Sequence, residues 1–177
     1  MNDTIERLAA CAPSLTEALT SHHTDGYLLL DGTVAGTDRV AAAGHFSGKV
    51  RREGVNLQVI TAPEGKLMRL SPTLPGSTHD VKDARGHGII DTCAQLDLEV
   101  LADKGYGGTV ITPIKRRLNT ELPRKHKKSN TVHAALRAPV ERTVSRIQQW
   151  RIFRHARIRP NRLTATAVAI LTLMIYT

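Results

Sequence analysis

Two short apolar runs, each followed at once by an acid, constrain this chain more than any other feature. One is Tyr27-Leu28-Leu29-Leu30 before Asp31-Gly32-Thr33, and the other is Val100-Leu101-Ala102 before Asp103-Lys104-Gly105-Tyr106. Aliphatic runs of this length bounded by glycine and polar residues read as buried strands. An acid at the end of such a strand is held rigidly beside packed hydrocarbon, where two like charges repel unless a cation stands between them. The pattern predicts an α/β domain whose sheet carries acids at its strand ends. A third acid, Glu141, lies in the most basic stretch of the chain.

The chain has 177 residues, enough for one well-buried core. Apolar residues make up 41% but aromatics only 3%, so aliphatic side chains must fill the interior. Charge is unevenly spread. Residues 1–103 carry 9 basic and 14 acidic side chains, whereas residues 104–177 carry 16 basic and 2 acidic. A cationic back half points to nucleic acid, an anionic membrane or simple solubility, with nucleic acid first, and composition alone does not choose among them. Cys11 and Cys93 stand far apart without metal-ligand spacing, so they read as two reduced thiols. No secretory signal opens the chain, and the run 165–176 is too short for a bilayer. A cytoplasmic, DNA-associated protein without a membrane partner is expected.

The coarse organisation is a two-part helical leader over 1–26, split at Pro13, and one domain over 27–177. Within the domain, the strand Tyr27–Leu30 precedes a Gly/Ala-rich connection through Gly36 and Gly44. Val55 to Thr61 and Leu67 to Leu70 form a hairpin about Pro63-Glu64-Gly65. Ser77-Thr78-His79-Asp80 caps a helix through Arg85, a second helix spans Ile89–Leu96, and a strand follows at Leu98–Ala102. Residues 104–130 read as a mobile cationic loop with a short strand at Val110 and Ile111. Thr131–Arg154 is helical, striped by Val140, Val144 and Ile147, with a kink expected at Pro139. Pro160 separates it from a final helix over Arg162–Tyr176, and Trp150 is expected to anchor the core.

Each acid has an ordinary structural reading. Asp31 before a glycine suits a turn, Asp103 suits a cap, and Glu141 suits a surface pair with Arg137. Asp-Gly-Thr also occurs in haloacid-dehalogenase phosphatases, but these need an aspartate two positions earlier, where Leu29 stands. Taken together, three acids on two strands and a helix fit a cage for Mg²⁺, which takes hard oxygen ligands. A pair of such ions supports phosphodiester cleavage or transfer without a protein nucleophile.

The motifs Leu-Leu-Leu-Asp31-Gly-Thr, Phe46-Ser-Gly-Lys49, Gly54-Val-Asn56-Leu-Gln58-Val, Leu74-Pro-Gly76-Ser-Thr-His79-Asp80, Leu101-Ala-Asp103-Lys-Gly-Tyr106 and Val140-Glu141-Arg142 through Trp150-Arg151 occur in a telling order. In this order they resemble bacterial insertion-sequence transposases of the DDE superfamily, in the group related to Harbinger-type elements. The resemblance covers about residues 27–176. It implies an α/β fold with a ribonuclease-H-like mixed sheet flanked by helices, and Mg²⁺-dependent DNA cleavage and strand transfer, with two ions expected and Mn²⁺ able to substitute. Asp31, Asp103 and Glu141, separated by 72 and 38 residues, match the triad, and Asp80 matches an accessory ligand or a helix cap. A rival assignment makes Asp80 the second acid.

The resemblance also implies DNA as partner, both transposon ends and target, and a homo-oligomer on DNA. Lys104, Lys115, Arg116, Arg117, Arg124, Lys125, Lys127, Lys128, Arg142, Arg146 and Arg151 are the expected phosphate contacts. Relatives carry an upstream helix-turn-helix region, expected to be missing here. They also often have a lysine where Gln148 stands and histidines where Val50 and Arg51 stand. The competing readings are an inactive remnant that binds DNA non-specifically and a domesticated nuclease of the same fold.

Overall fold

Two ten-residue strands organise the molecule. In the computed structural model, which describes residues 2–21, 26–38, 44–154, 156–158 and 160–176, β1 (Tyr27–Gly36) and β3 (Arg52–Thr61) pair antiparallel. The register runs from Leu29 opposite Thr61 to Gly36 opposite Gly54. Short strands β2 (Phe46–Ser47), β4 (Leu67–Leu70) and β5 (Leu74–Pro75) all join β3, and β6 (Glu99–Leu101) joins β1 in parallel. The sheet is therefore mixed, in the order β2-β3-β1-β6, with β4 and β5 also on β3.

Two corrections to the sequence reading concern β1. The strand does not stop at Leu30, so Asp31 is a mid-strand residue, opposite Val59, and not a turn residue. Glycines that ordinarily interrupt a strand are used here for close approach. A Cβ on Gly32 would lie 2.2 Å from Asp80 Oδ1, and one on Gly36 would lie 2.7 Å from the Arg52 guanidinium carbon. The expected Gly/Ala connection thus contains the end of β1 and all of β2, and residues 39–43 lie outside the described ones.

Helices cover both faces of this sheet. The leader forms α1 (Asn2–Ala10) and α2 (Leu15–Thr20), broken around Pro13, with Ser14 and Glu17 making a capping box at the start of α2. Helix α3 (Asp80–Gly86) and α4 (Ile89–Gln95) precede β6, and α5 (Arg124–Gln149), α6 (Arg151–Arg154) and α7 (Pro160–Tyr176) complete the chain. Helix α1 packs on α7, and α2 on α4 and β4. Pleating separates two cores. Leu29, Ala35, Val55, Leu57 and Val59 pack with Val140, Ile147, Phe153 and Leu163 beneath α5–α7. Leu28, Leu30 and Ile60 pack with Ala84, Ile89 and Cys93 beneath α2–α4. Cys11 and Cys93 are both free thiols.

The basic segment is shorter as a loop than expected. Lys104–Tyr106 is a 3₁₀ turn, Ile111 makes a single parallel bridge to Leu101, and α5 begins at Arg124 rather than Thr131. Asn130 fixes the approach to α5 by bonding both backbone groups of Ile114, accepting at 2.8 Å and donating at 3.1 Å. Helix α5 runs as one element through Pro139. Trp150 is not a core anchor. It ends α5 and is 39% exposed, and Phe153 one turn later fills the core instead. Among the described residues, no helix is long and apolar enough to cross a membrane.

Candidate active site

The parallel register of β1 and β6 brings two acids together. Leu29 lies opposite Leu101, so two residues further on each chain Asp31 and Asp103 stand side by side, on the face covered by α5. Asp103 lies just past β6 and caps the 3₁₀ turn, accepting from Gly105 N at 2.7 Å. Asp31 accepts from Gly32 N at 3.0 Å. Its pKa is raised. Burial is the largest cause and the Asp103 charge adds to it, against the opposing pull of Arg137 and Lys49.

Helix α5 supplies the groups facing this pair, and its buried stripe changes character along its length. His133 and Arg137 occupy the stripe near the open end of β6, and Val140, Thr143 and Ile147 continue it over the core. His133 Nε2 lies 2.9 Å from Ala102 O, which fixes that nitrogen as the donor. Burial, then the neighbouring Arg137, lowers the His133 pKa, consistent with a neutral ring. Arg137 is 7% exposed and stands between two acids, 3.4 Å from Asp31 Oδ1 and 3.7 Å from Glu141 Oε1. Its Nε is buried without a hydrogen-bond partner. Glu141, whose side chain is 60% exposed, therefore reaches the site through a guanidinium. Further along, Gln148 donates to Thr33 Oγ1 at 2.8 Å, tying α5 to the strand that carries Asp31.

The structure thus brings Asp31 and Asp103 together directly and links Glu141 to them by Arg137. Among the described residues, no three of His, Cys, Asp and Glu gather closely enough to hold a metal ion in this arrangement. The donor chemistry does suit a divalent ion. Two hard carboxylates are adjacent, and burial together with mutual repulsion makes a cation between them favourable.

Asp80 lies elsewhere. Gly32, whose missing Cβ makes room for it, points to the face opposite Asp31, and Asp80 sits there at the start of α3. It is the first residue of the helix rather than the cap, a position held by His79. Its Oδ1 accepts from Asn56 Nδ2 at 2.8 Å and its Oδ2 from Lys49 Nζ at 3.1 Å. Deeper on that face, Tyr106 donates its hydroxyl to Gln58 Oε1, and Gln58 Nε2 donates to the fully buried Asp83 at 3.1 Å. His87 Nε2 lies 3.1 Å from the other Asp83 oxygen. Burial, reinforced by Asp80, Asp31, Asp103 and Asp83, pushes the Tyr106 pKa up and keeps the phenol protonated.

The cations expected to meet phosphate divide into two groups. Lys104, Lys115, Arg116, Arg117, Arg124, Lys125, Lys127, Lys128, Arg142 and Arg151 are exposed. Lys127 pairs with Glu121 at 3.2 Å. Helix α5 has four Lys or Arg among its first five residues and no acid in its first turn, so their charge adds to the positive end of the helix dipole. Arg146 is exposed too, but its guanidinium is engaged by the fold, on Gly65 O at 3.3 Å and Thr143 Oγ1 at 3.0 Å. Sequence reasoning did not place Lys49, Asn56, Gln58, His133 or Arg137 at the site. Polar residues at alternate positions of an otherwise apolar strand, Asn56 and Gln58, were the available signal.

A family model described as DDE superfamily endonuclease matches residues 30–175, a span that contains all three acids. The chain belongs to this family. This DDE superfamily member is also 30% identical over 139 residues to a protein of Streptomyces albus G named as a putative transposase for insertion sequence element IS112. The alignment covers 76% of this chain and 52% of that protein, so the chain spans about half the length of its curated relative. No solved structure matches the chain significantly. Membership of the DDE superfamily implies use of a divalent metal ion, and the insertion-sequence resemblance read from the motifs is supported by both comparisons.

Proposed function

We propose that this chain is the catalytic part of an insertion-sequence transposase with a ribonuclease-H-type fold, cutting and joining DNA strands at a site built on Asp31, Asp103 and Glu141. The observation that carries the reading is the side-by-side placement of Asp31 and Asp103 on parallel neighbours β1 and β6, within the matched family span. The sheet order supports the fold assignment: β1 pairs antiparallel with β3 on one side and parallel with β6 on the other.

In this reading Asp31 and Asp103 would hold Mg²⁺, with two ions expected, and Glu141, paired here with Arg137, would complete the set. Bound ions would supply charge neutralisation at the phosphate and an activated water or 3′-hydroxyl. The protein's own part is orientation. His133 fixes α5 to the end of β6, Gln148 fixes it to β1, and together they set where Glu141 and Arg137 stand. The exposed cations of 115–128 hold the DNA backbone through phosphate charge. DNA ends and target are the substrates, and a homo-oligomer on paired ends is the working form.

The test is nicking of a supercoiled plasmid that carries the gene with its native flanks, in Mg²⁺ or Mn²⁺. Wild-type protein should nick or excise, and Asp103→Asn should not. Equal activity in the two proteins would remove the assigned acids. Salt-sensitive binding with no cleavage by either would favour a DNA-binding remnant.

A further inference from the structure

We propose that Lys49 is a phosphate-contacting residue of the active site, and that Asp80, Asn56 and Gly32 form the socket that holds it there. The inference rests on the transposase reading above and concerns motifs which that reading leaves unused: Ser-Gly-Lys49, Val-Asn56 and His79-Asp80.

These residues, distant in sequence, form one assembly. The Asp80 carboxylate fills the space over Gly32 that a side chain would otherwise take, with a Cβ there falling 2.2 Å from Oδ1. Asn56 orients that carboxylate, donating from the same amide nitrogen to Asp80 Oδ1 at 2.8 Å and to Thr78 O at 3.1 Å. The other oxygen, Oδ2, takes Lys49 at 3.1 Å, and Lys49 also donates to Gly32 O at 3.3 Å. Gly32 follows Asp31 directly, so the socket sets a cation one residue from the first acid.

Lys49 is held but not consumed. An ammonium has three N–H donors, two are used, and the side chain remains 53% exposed. Its charge acts on Asp31 and Asp103 as well as on Asp80. Burial alone would lower its pKa, but the charge and hydrogen bond of Asp80, together with the charges of Asp31 and Asp103, raise it, so Lys49 stays charged. A fixed ammonium with a free donor, anchored on the backbone oxygen of the residue after Asp31, suits a non-bridging oxygen of the phosphodiester that Asp31 and Asp103 act on. Asp80 then serves as a positioning residue, with its two oxygens already committed to Asn56 and Lys49, rather than as a metal ligand.

The test compares Lys49→Met, Lys49→Arg, Asp80→Asn and the Lys49→Met/Asp80→Asn double variant with wild type and Asp31→Asn, after far-UV circular dichroism confirms the fold. Plasmid nicking in Mn²⁺ should fall about 10²-fold in Lys49→Met and recover substantially in Lys49→Arg. Asp80→Asn should lose activity too, and the double variant should be no worse than Lys49→Met, because both changes remove one device. Calorimetric Mn²⁺ affinity should be maintained in both single variants. Independently of cleavage, duplex DNA binding with Ca²⁺ replacing Mg²⁺ should show a log–log salt slope lower by about 0.9 in Lys49→Met, the value for one neutralised phosphate. An unchanged slope, wild-type nicking by Lys49→Met, or additive losses would overturn the proposal, as would selective loss of Mn²⁺ affinity in Asp80→Asn. Nicking by Asp31→Asn at the wild-type rate would overturn the transposase reading instead.

Discussion

The two faces of the β1–β3 pair solve opposite problems with the same residue types. Beneath α3, polar groups are paired: buried Tyr106 to Gln58 and Gln58 to Asp83, and Asn56 and the exposed Lys49 to Asp80. Beneath α5, Asp31 and Asp103 stand side by side, and Arg137 meets Asp31 and Glu141 at ionic rather than hydrogen-bonding range. A hydrogen-bonded network fixes one geometry. An acid pair with a replaceable countercharge is where chemistry can be done, since perturbed acids collect at functional sites. The sheet face on which an aspartate lies, that of α5 or that of α3, decides which role it takes.

Substitutions on the two faces should separate these roles. The largest effect is expected from Asp103→Asn, which should reduce metal-dependent nicking to the level of a protein-free control while circular dichroism shows a retained fold. Leu29→Ala, in the core beneath α5, should cost about 2–5 kcal/mol in urea denaturation. On the opposite face Gln58→Met should cost about 1–3 kcal/mol, because buried Asp83 and Tyr106 each lose a partner. If the Gln58 variant kept full stability, the contrast between the faces would fail.

Acidity sharpens the comparison. A raised Asp31 pKa means the folded chain holds that proton to higher pH than the unfolded chain does. The associated stability is present below the ordinary value near 3.8 and is lost as pH rises through the raised one. Mn²⁺ binding should move the other way and weaken as pH falls through the same window, with calorimetry at stepped pH as the measurement. Asp31→Asn should remove that pH dependence of stability. The smallest effect is expected from alanine at Arg124, Lys125, Lys127 and Lys128 together: the salt slope of DNA binding should flatten by up to about 0.9 for each phosphate no longer neutralised.

Much of the fold was legible in the sequence because aliphatic runs and proline breaks report local structure directly. The hairpin around Gly65, the split leader and the stripe Val140, Val144, Ile147 all follow from such signals. The length of β1 did not, because Gly32 and Gly36 read as breakers until the side chains that press on them are known. Trp150 was misplaced for a similar reason: composition favours burying a lone tryptophan, but the stripe position belongs to Ile147 and the core gap to Phe153. At the site, acids after apolar runs could be found by pattern. Arg137 standing between two of them, and Asp80 belonging to the opposite face, depend on helix phase and strand pleat.

The parallel pairing of β1 with β6 also sets a time order. Residues 27–29 can meet 99–101 only after the whole stretch between them has been synthesised, and such long-range pairing is slow to form. During synthesis Asp31 therefore waits without its neighbour. A polypeptide cut short before residue 99 would lack the strand that brings Asp103 beside Asp31.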